Sequence, residues 1–234
     1  MDFITKTTQT ETPTYHQTNG ERDMSQKKAL IVQGGWQGHT PRESSELMAG
    51  FLSGQGFEVE VSDTLDSYLD EAKMKALSLV VPMWTMGKIT GEQCKGLLSA
   101  IEGGVGCAGF HGGMCDSFRE NVNYQWMTGG QWVAHPGNCI PSYTINVINH
   151  DHPITAGIAD FQMRDTEQYY MHVDPSNNVL ATTTFATGCV MPAVWTRYWG
   201  RGRVFYASFG HTHKDFDIPE AFEIVQRGML WAAR

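Results

Sequence analysis

The stretch Gly109-Phe110-His111-Gly112-Gly113 follows the apolar run "VGCA" and sets one imidazole among glycines. Its G-x-X-x-G shape is that of the strained strand-to-helix bend that presents a nucleophile in hydrolase folds. Small neighbours relieve the crowding that such a bend creates. Histidine in place of serine or cysteine does not suit an acyl-enzyme; it suits a general acid/base near neutral pH, or a metal ligand. Other histidines stand in comparable places. His39 ends "GGWQGH" after an apolar run, and His211 and His213 follow "RVFYASFG". His135 precedes Pro136 in a glycine-rich loop, the kind of segment that carries ligand contacts.

Carboxylates complete the set. Glu167 in "DTEQYY" lies between strand-like positions, and burial beside Tyr169 or Tyr170 would raise its pKa into the acid/base range. Asp116, five residues after His111, can orient an imidazole, bind a sugar hydroxyl or cap a helix. The His211-x-His213 pair shares one face if extended, a spacing seen in zinc sites. With His111 and His135 it leaves a mononuclear divalent-metal site, zinc for example, as an open alternative. His150-Asp151-His152 reads better as a turn, and Cys115 better as a buried structural thiol than as a nucleophile. Trp36, Trp84, Trp126, Trp132 and Trp195 fall in or beside these loops, where indole faces would either pack on sugar rings or fill the core.

These residues need a scaffold that brings them to one edge. From Lys28 to Phe110 short apolar runs alternate with amphipathic ones: strands at "ALIVQ", "FEVEVS", "LSLVVPMW" and "VGCAGF", helices from Thr40, through "YLDEAKMKA" and from Thr90. Thr40, Pro41 and Glu43 read as a helix start with threonine as N-cap. Such alternation implies right-handed crossovers and a mostly parallel sheet with helices on both faces. In such a sheet ligands bind beyond the carboxyl ends of the strands. The second half is more elaborate, with strands at "SYTINVIN" and "NVLATTTF", a hairpin turning at Gly200 to Gly202, and a closing helix from Ile218 to Ala233.

Composition narrows the classes. The chain has 234 residues, 41% of them hydrophobic and 18% charged. A core of that size buries roughly 70% of its unfolded surface without a staple. A net charge of -8 without a basic face argues against nucleic acid, and no apolar run reaches the roughly 20 residues of a membrane span. The five cysteines, Cys94, Cys107, Cys115, Cys139 and Cys189, have no paired spacing and read as reduced thiols of a cytoplasmic protein. Residues 1–26 are polar and Thr-rich and read as a disordered extension ahead of one domain over 27–234. Met24, before "SQKKALIVQGG", reads as an alternative start.

Together the segments "GGVGCAGFHGGMCDSF", "TGGQWVAHPGN", "HDHPITAGI", "DTEQYYMHV", "MPAVWTRYWGRGRVFYASFGH" and "GMLWAA" carry a resemblance covering most of Lys28 to Arg234. The chain resembles the ThuA-like, or trehalose-utilisation, family of the class I glutamine amidotransferase-like superfamily. The resemblance implies a flavodoxin-like three-layer α/β/α fold with a site near the amidotransferase-like elbow. It also implies a link to sugar metabolism through oxidised (keto) disaccharides. The family-like positions are His111, Asp116, Gly129, Gly130, His135, Glu167, Tyr169, Trp195, Gly210 and His211. The elbow lacks its cysteine, which argues against a glutaminase.

The expectation is a protein that acts on or binds a keto-sugar, as an isomerase, lyase or hydrolase. His111, Glu167 and Asp116 would be catalytic, and Trp36, His39, Trp84, His135, Tyr169, Trp195 and His211 would contact substrate. The alternative is a non-catalytic sugar-binding or scaffold module. A small-molecule sugar is the expected partner, and a homo-oligomer is left open.

Overall fold

Period-two burial builds the sheet. In Lys28–Gly35 (β1), Ala29 and Ile31 point into one apolar cluster and Leu30 and Val32 into another, and all four are buried. Leu30, Ile31 and Val32 each contribute about 1.5–3 kcal/mol on burial, and Ala29 less. The two clusters are the cores above and below one sheet, so the arrangement is three-layered, helix–sheet–helix. The computed structural model describes residues 26–234. The expected disordered extension, apart from Gln26, lies outside the described residues.

The first half follows the alternation read from the sequence: Pro41–Gly54 (α1), Glu58–Ser62 (β2), Glu71–Ala76 (α2), Leu79–Thr85 (β3), Gly91–Glu102 (α3) and Gly106–Phe110 (β4). Thr90 caps α3 as a capping box, its hydroxyl accepting from the Gln93 amide while the Gln93 side chain accepts from the Thr90 amide. Thr40 does not cap α1. Its backbone is left-handed (φ 44°), and its hydroxyl instead accepts from the His213 amide at 3.1 Å. That contact ties the C-terminal loop to the start of α1.

A short helix, His111–Cys115 (α4), follows β4 directly. The chain continues through Val122–Thr128 (α5), Gly130–Ala134 (β5), Cys139–Val147 (β6), Phe161–Glu167 (β7), Tyr170–Val173 (β8), Asn178–Thr184 (β9), Val190–Trp199 (β10), Gly202–Ala207 (β11) and Pro219–Ala232 (α6). The nine-stranded sheet has the order β2-β1-β3-β4-β11-β10-β9-β6-β7. It is parallel from β2 to β11 and antiparallel from β11 to β7, so the elaborated C-terminal half extends the same sheet. β5 and β8 pair separately. Because β4 and β11 are parallel neighbours, His111 and the Ser208–His211 segment leave the sheet side by side. No described helix is long and apolar enough to cross a membrane.

Candidate functional site

The bend after β4 carries real backbone strain: His111 has φ 46°, a left-handed value for a residue with a Cβ. Such a conformation costs about 1–3 kcal/mol and persists only where its surroundings hold it. They do so here. Nδ1 of His111 lies 2.9 Å from the Ser208 carbonyl, an acceptor, so Nδ1 carries the proton. Tyr169 stacks on the ring at 3.9 Å between centroids, and the Tyr206 hydroxyl donates to the His111 carbonyl at 3.1 Å. Nε2 is thereby aimed at Glu167 Oε2, 3.2 Å away.

Glu167 is the centre of a ring of imidazoles. His211 Nδ1 lies 3.4 Å and His39 Nε2 4.0 Å from the same Oε2, while His135 Nε2 lies 3.7 Å from Oε1. His39 is held from behind by a 2.8 Å hydrogen bond between Nδ1 and the Thr85 hydroxyl at the end of β3. It reaches this depth because Gly112 has no side chain: a Cβ there would sit 2.4 Å from the His39 ring. The buried Asp215 fastens the other side. Its Oδ2 accepts from the Thr166 hydroxyl at 2.8 Å, the His211 amide at 2.9 Å and the Gly210 amide at 3.2 Å. It thus locks the residue before Glu167 to the loop bearing His211. Replacing Asp215 with alanine leaves these buried donors unmet, and stability should drop by about 3 kcal/mol, seen as a lower urea midpoint at unchanged slope.

The electrostatics differ from the expectation for Glu167. Burial alone would raise its carboxyl, but when His111 and His211 are protonated their hydrogen bonds and charge outweigh it and hold the group well below the usual carboxylate range. It is a carboxylate at neutral pH, suited to ligation, proton acceptance or charge stabilisation, and not an acid poised near pH 7. His39 is pushed from 6.5 down to about 2 by burial, helped by the charges of His111, His211 and His135 and opposed by Glu167. The unfolded His39 therefore takes up a proton below about pH 6.5 that the folded chain refuses, and stability is lost as pH falls. In chelator-treated protein this group should account for about 1.4 kcal/mol per pH unit between pH 6 and 4. Chemical denaturation of His39→Gln across that range should show a correspondingly shallower acid slope.

A cavity of about 350 Å³ opens on this ring, within the range of small-ligand sites. Trp36, Trp132, His135, Arg119, Tyr169 and Glu167 are among its walls. Arg119 forms a two-pronged pair with Asp116 at 2.6 and 2.9 Å and lies over the Trp132 ring at 4.5 Å. Asp116 therefore orients an arginine at the cavity wall and touches no imidazole through a hydrogen bond.

The structure gathers His39, His111, His135, Glu167, Tyr169 and His211, and puts Trp36 at the rim, 46% exposed and edge-on to His39. His39 is a floor residue, deeper than the substrate contact the sequence implied. Trp84 is half-buried and covers Gly34. Trp195 is fully buried, its indole N–H donating to the Thr128 carbonyl, so it does not reach the cavity. His213 opens a 3-10 turn, His213–Asp217, and bonds Thr40 instead of joining the ring. Trp126 packs edge-on to Trp199 on the surface. Burial pushes the Cys115 thiol far up, as for an inert structural cysteine. Sequence reasoning missed Thr85, Ser208, Arg119 and Asp215. The first two had a usable signal, as polar residues at the carboxyl ends of parallel strands.

Among solved structures the chain is similar to a ThuA-like protein from Bacteroides uniformis, at 20% identity with TM-score 0.72, covering 88% of this chain and 91% of that one. A ThuA-like protein from Parabacteroides merdae gives 17% identity, TM-score 0.70 and coverage of 88% and 90%. A cytoplasmic protein from Salmonella typhimurium gives 9% identity, TM-score 0.66 and coverage of 88% and 100%. At these identities the likeness establishes the flavodoxin-like fold. None of the curated proteins compared with the chain matches it. Residues 28–232 match the family described as ThuA, trehalose utilisation. The chain accordingly belongs to the ThuA family, whose description as trehalose utilisation links it to sugar metabolism.

Proposed function

We propose that the protein is a cytoplasmic enzyme acting on an oxidised (keto) sugar or disaccharide derivative, with Glu167 and His135 as its acid–base groups and His111 holding Glu167 in place. The observation that carries this reading is the pairing of one buried carboxylate with imidazoles on both of its oxygens beneath an aromatic-walled cavity. A keto group acidifies the neighbouring C–H. A carboxylate–imidazole pair can take that proton and return it at the adjoining carbon or to a departing oxygen, giving isomerisation or elimination. Each positioned acid–base group is worth about 10²–10⁴-fold in rate. Glu167, ionised at neutral pH, is the proton acceptor, and the imidazole on its Oε1 shares the proton it takes. His135, 29% exposed along its side chain, faces the cavity side as the donor. The aromatic walls at Trp36 and Trp132 suit the apolar faces of a pyranose, and Arg119 offers donors to its hydroxyls. The free thiols support a reducing compartment.

The test is a thermal-shift and turnover panel of keto-sugars against their unoxidised parents. A true ligand at 100 times its Kd adds about 2.7 kcal/mol, or roughly 5–10 °C for a chain of this size. His111→Ala should retain the shift in part and lose turnover. If the keto-sugars bind and none is converted, the site is a sugar-binding module; if none binds, the sugar reading fails altogether.

A further inference from the structure

We infer that His39, His111, His211 and Glu167 form a mononuclear centre for a divalent transition-metal ion. One ligand atom from each side chain lies within 4.8 Å of all the others. At metal–ligand bonds of about 2.0–2.2 Å, donors on a tetrahedron stand about 3.4 Å apart. His111 Nε2 and His211 Nδ1 lie 3.2 and 3.4 Å from Glu167 Oε2, at the tetrahedral spacing, and His39 Nε2, at 4.0 Å, is the imidazole of the three that stands farthest from the carboxylate.

The hydrogen-bond inventory carries the argument. His111 Nδ1 faces a carbonyl oxygen and must hold the ring proton, so neutral His111 turns a lone pair toward the lone pairs of Glu167. Two acceptors at 3.2 Å repel unless a cation lies between them. A proton on His111 would satisfy that pair alone and leave His211 Nδ1, which is buried and without a hydrogen-bond partner. A metal ion satisfies both, together with His39. The outer contacts are those of metal-bound histidines. His111 donates from its far nitrogen to a backbone carbonyl, and His39 bonds the Thr85 hydroxyl from its own far nitrogen. Three imidazoles with one carboxylate suit zinc and its neighbours better than magnesium or calcium. His135 lies on the opposite carboxylate oxygen, outside this set. Any part the metal plays in turnover rests on the acid–base reading above, whereas its presence does not.

The experiment uses the full chain, purified without chelator for elemental analysis, then stripped and titrated with Zn²⁺ by calorimetry and with Co²⁺ by visible spectroscopy. About one ion per chain is expected, with cobalt bands of a nitrogen-rich site. His39→Ala, His211→Ala and Glu167→Gln should each abolish the bands, with folding checked by circular dichroism. Thr85→Val should weaken Zn²⁺ binding about 10–100-fold, whereas His213→Ala should bind as wild type. Failure of Zn²⁺, Co²⁺ and Mn²⁺ to bind the wild type, or equal binding by Glu167→Gln, would overturn the assignment. A bound metal without any keto-sugar ligand keeps this inference and sinks the proposed function. Chelator-insensitive, His111-dependent turnover does the reverse.

Discussion

Glu167→Gln should lower keto-sugar turnover by about 10²–10⁴-fold while the melting temperature of the chelator-treated protein, taken at about pH 8 where free imidazoles are neutral, stays level or rises by a few degrees. The two expectations come from one geometry. Glutamine keeps the shape of the side chain but loses its charge and its basicity, so neither proton abstraction nor tight ligation survives. In the stripped protein, however, the amide is a better neighbour than the carboxylate. Its N–H₂ can donate to the lone pair that His111 Nε2 presents at 3.2 Å, where the carboxylate offers only a second acceptor. A group kept in place at a cost to stability is the signature of a functional site. Were Glu167 a structural ion-pair partner, the variant would melt lower in step with its loss of activity. Paired thermal and steady-state measurements on one preparation separate these outcomes.

The parallel half of the sheet was legible because its signals are local. Runs such as "ALIVQ" and "LSLVVPMW" are too short for helices and too apolar for surface strands, and Gly103-Gly104 marks where α3 stops. The convergence of His39, His111 and His211 followed from strand-end logic alone. The failures came where a tertiary contact decided the outcome. Thr40 has the type and spacing of a cap, yet its left-handed backbone turns the hydroxyl toward His213, and that bond in turn removes His213 from the ring. The face-sharing of His211 and His213 presumed an extended backbone, and the 3-10 turn at His213–Asp217 ends it. Glu167 was read as a carboxyl raised by burial because the local sequence shows its aromatic neighbours. The imidazoles that reverse the sign arrive from residues far away in the chain. Trp195 looked like a rim residue but lies in the middle of β10, on the face that packs against Gly130 and Tyr206.

Gly112→Ala should cost about a hundredfold in turnover and in metal affinity while removing no polar group from the site. The new Cβ would stand 2.4 Å from His39 Cε1, 2.7 Å from Nδ1 and 2.9 Å from the Tyr169 hydroxyl. Since atoms do not approach so closely, the His39 ring must withdraw by about 1 Å. That motion breaks its alignment with Thr85 and opens the 4.0 Å gap to Glu167 further. A displacement of that size is enough for a loss of about 10² in rate. Stability moves much less: His39 is the end of a side chain and can swing, and alanine favours the helical backbone of α4 by about 1 kcal/mol over glycine. Gly50→Ala is the matching control. It lies on the exposed side of α1 with nothing within 4 Å of its would-be Cβ, so the same substitution there should stabilise by about 0.5–1 kcal/mol and leave turnover alone. Equal activity for the two alanine variants would mean that His39 has no part in the site, and that the glycine after the bend serves only the turn.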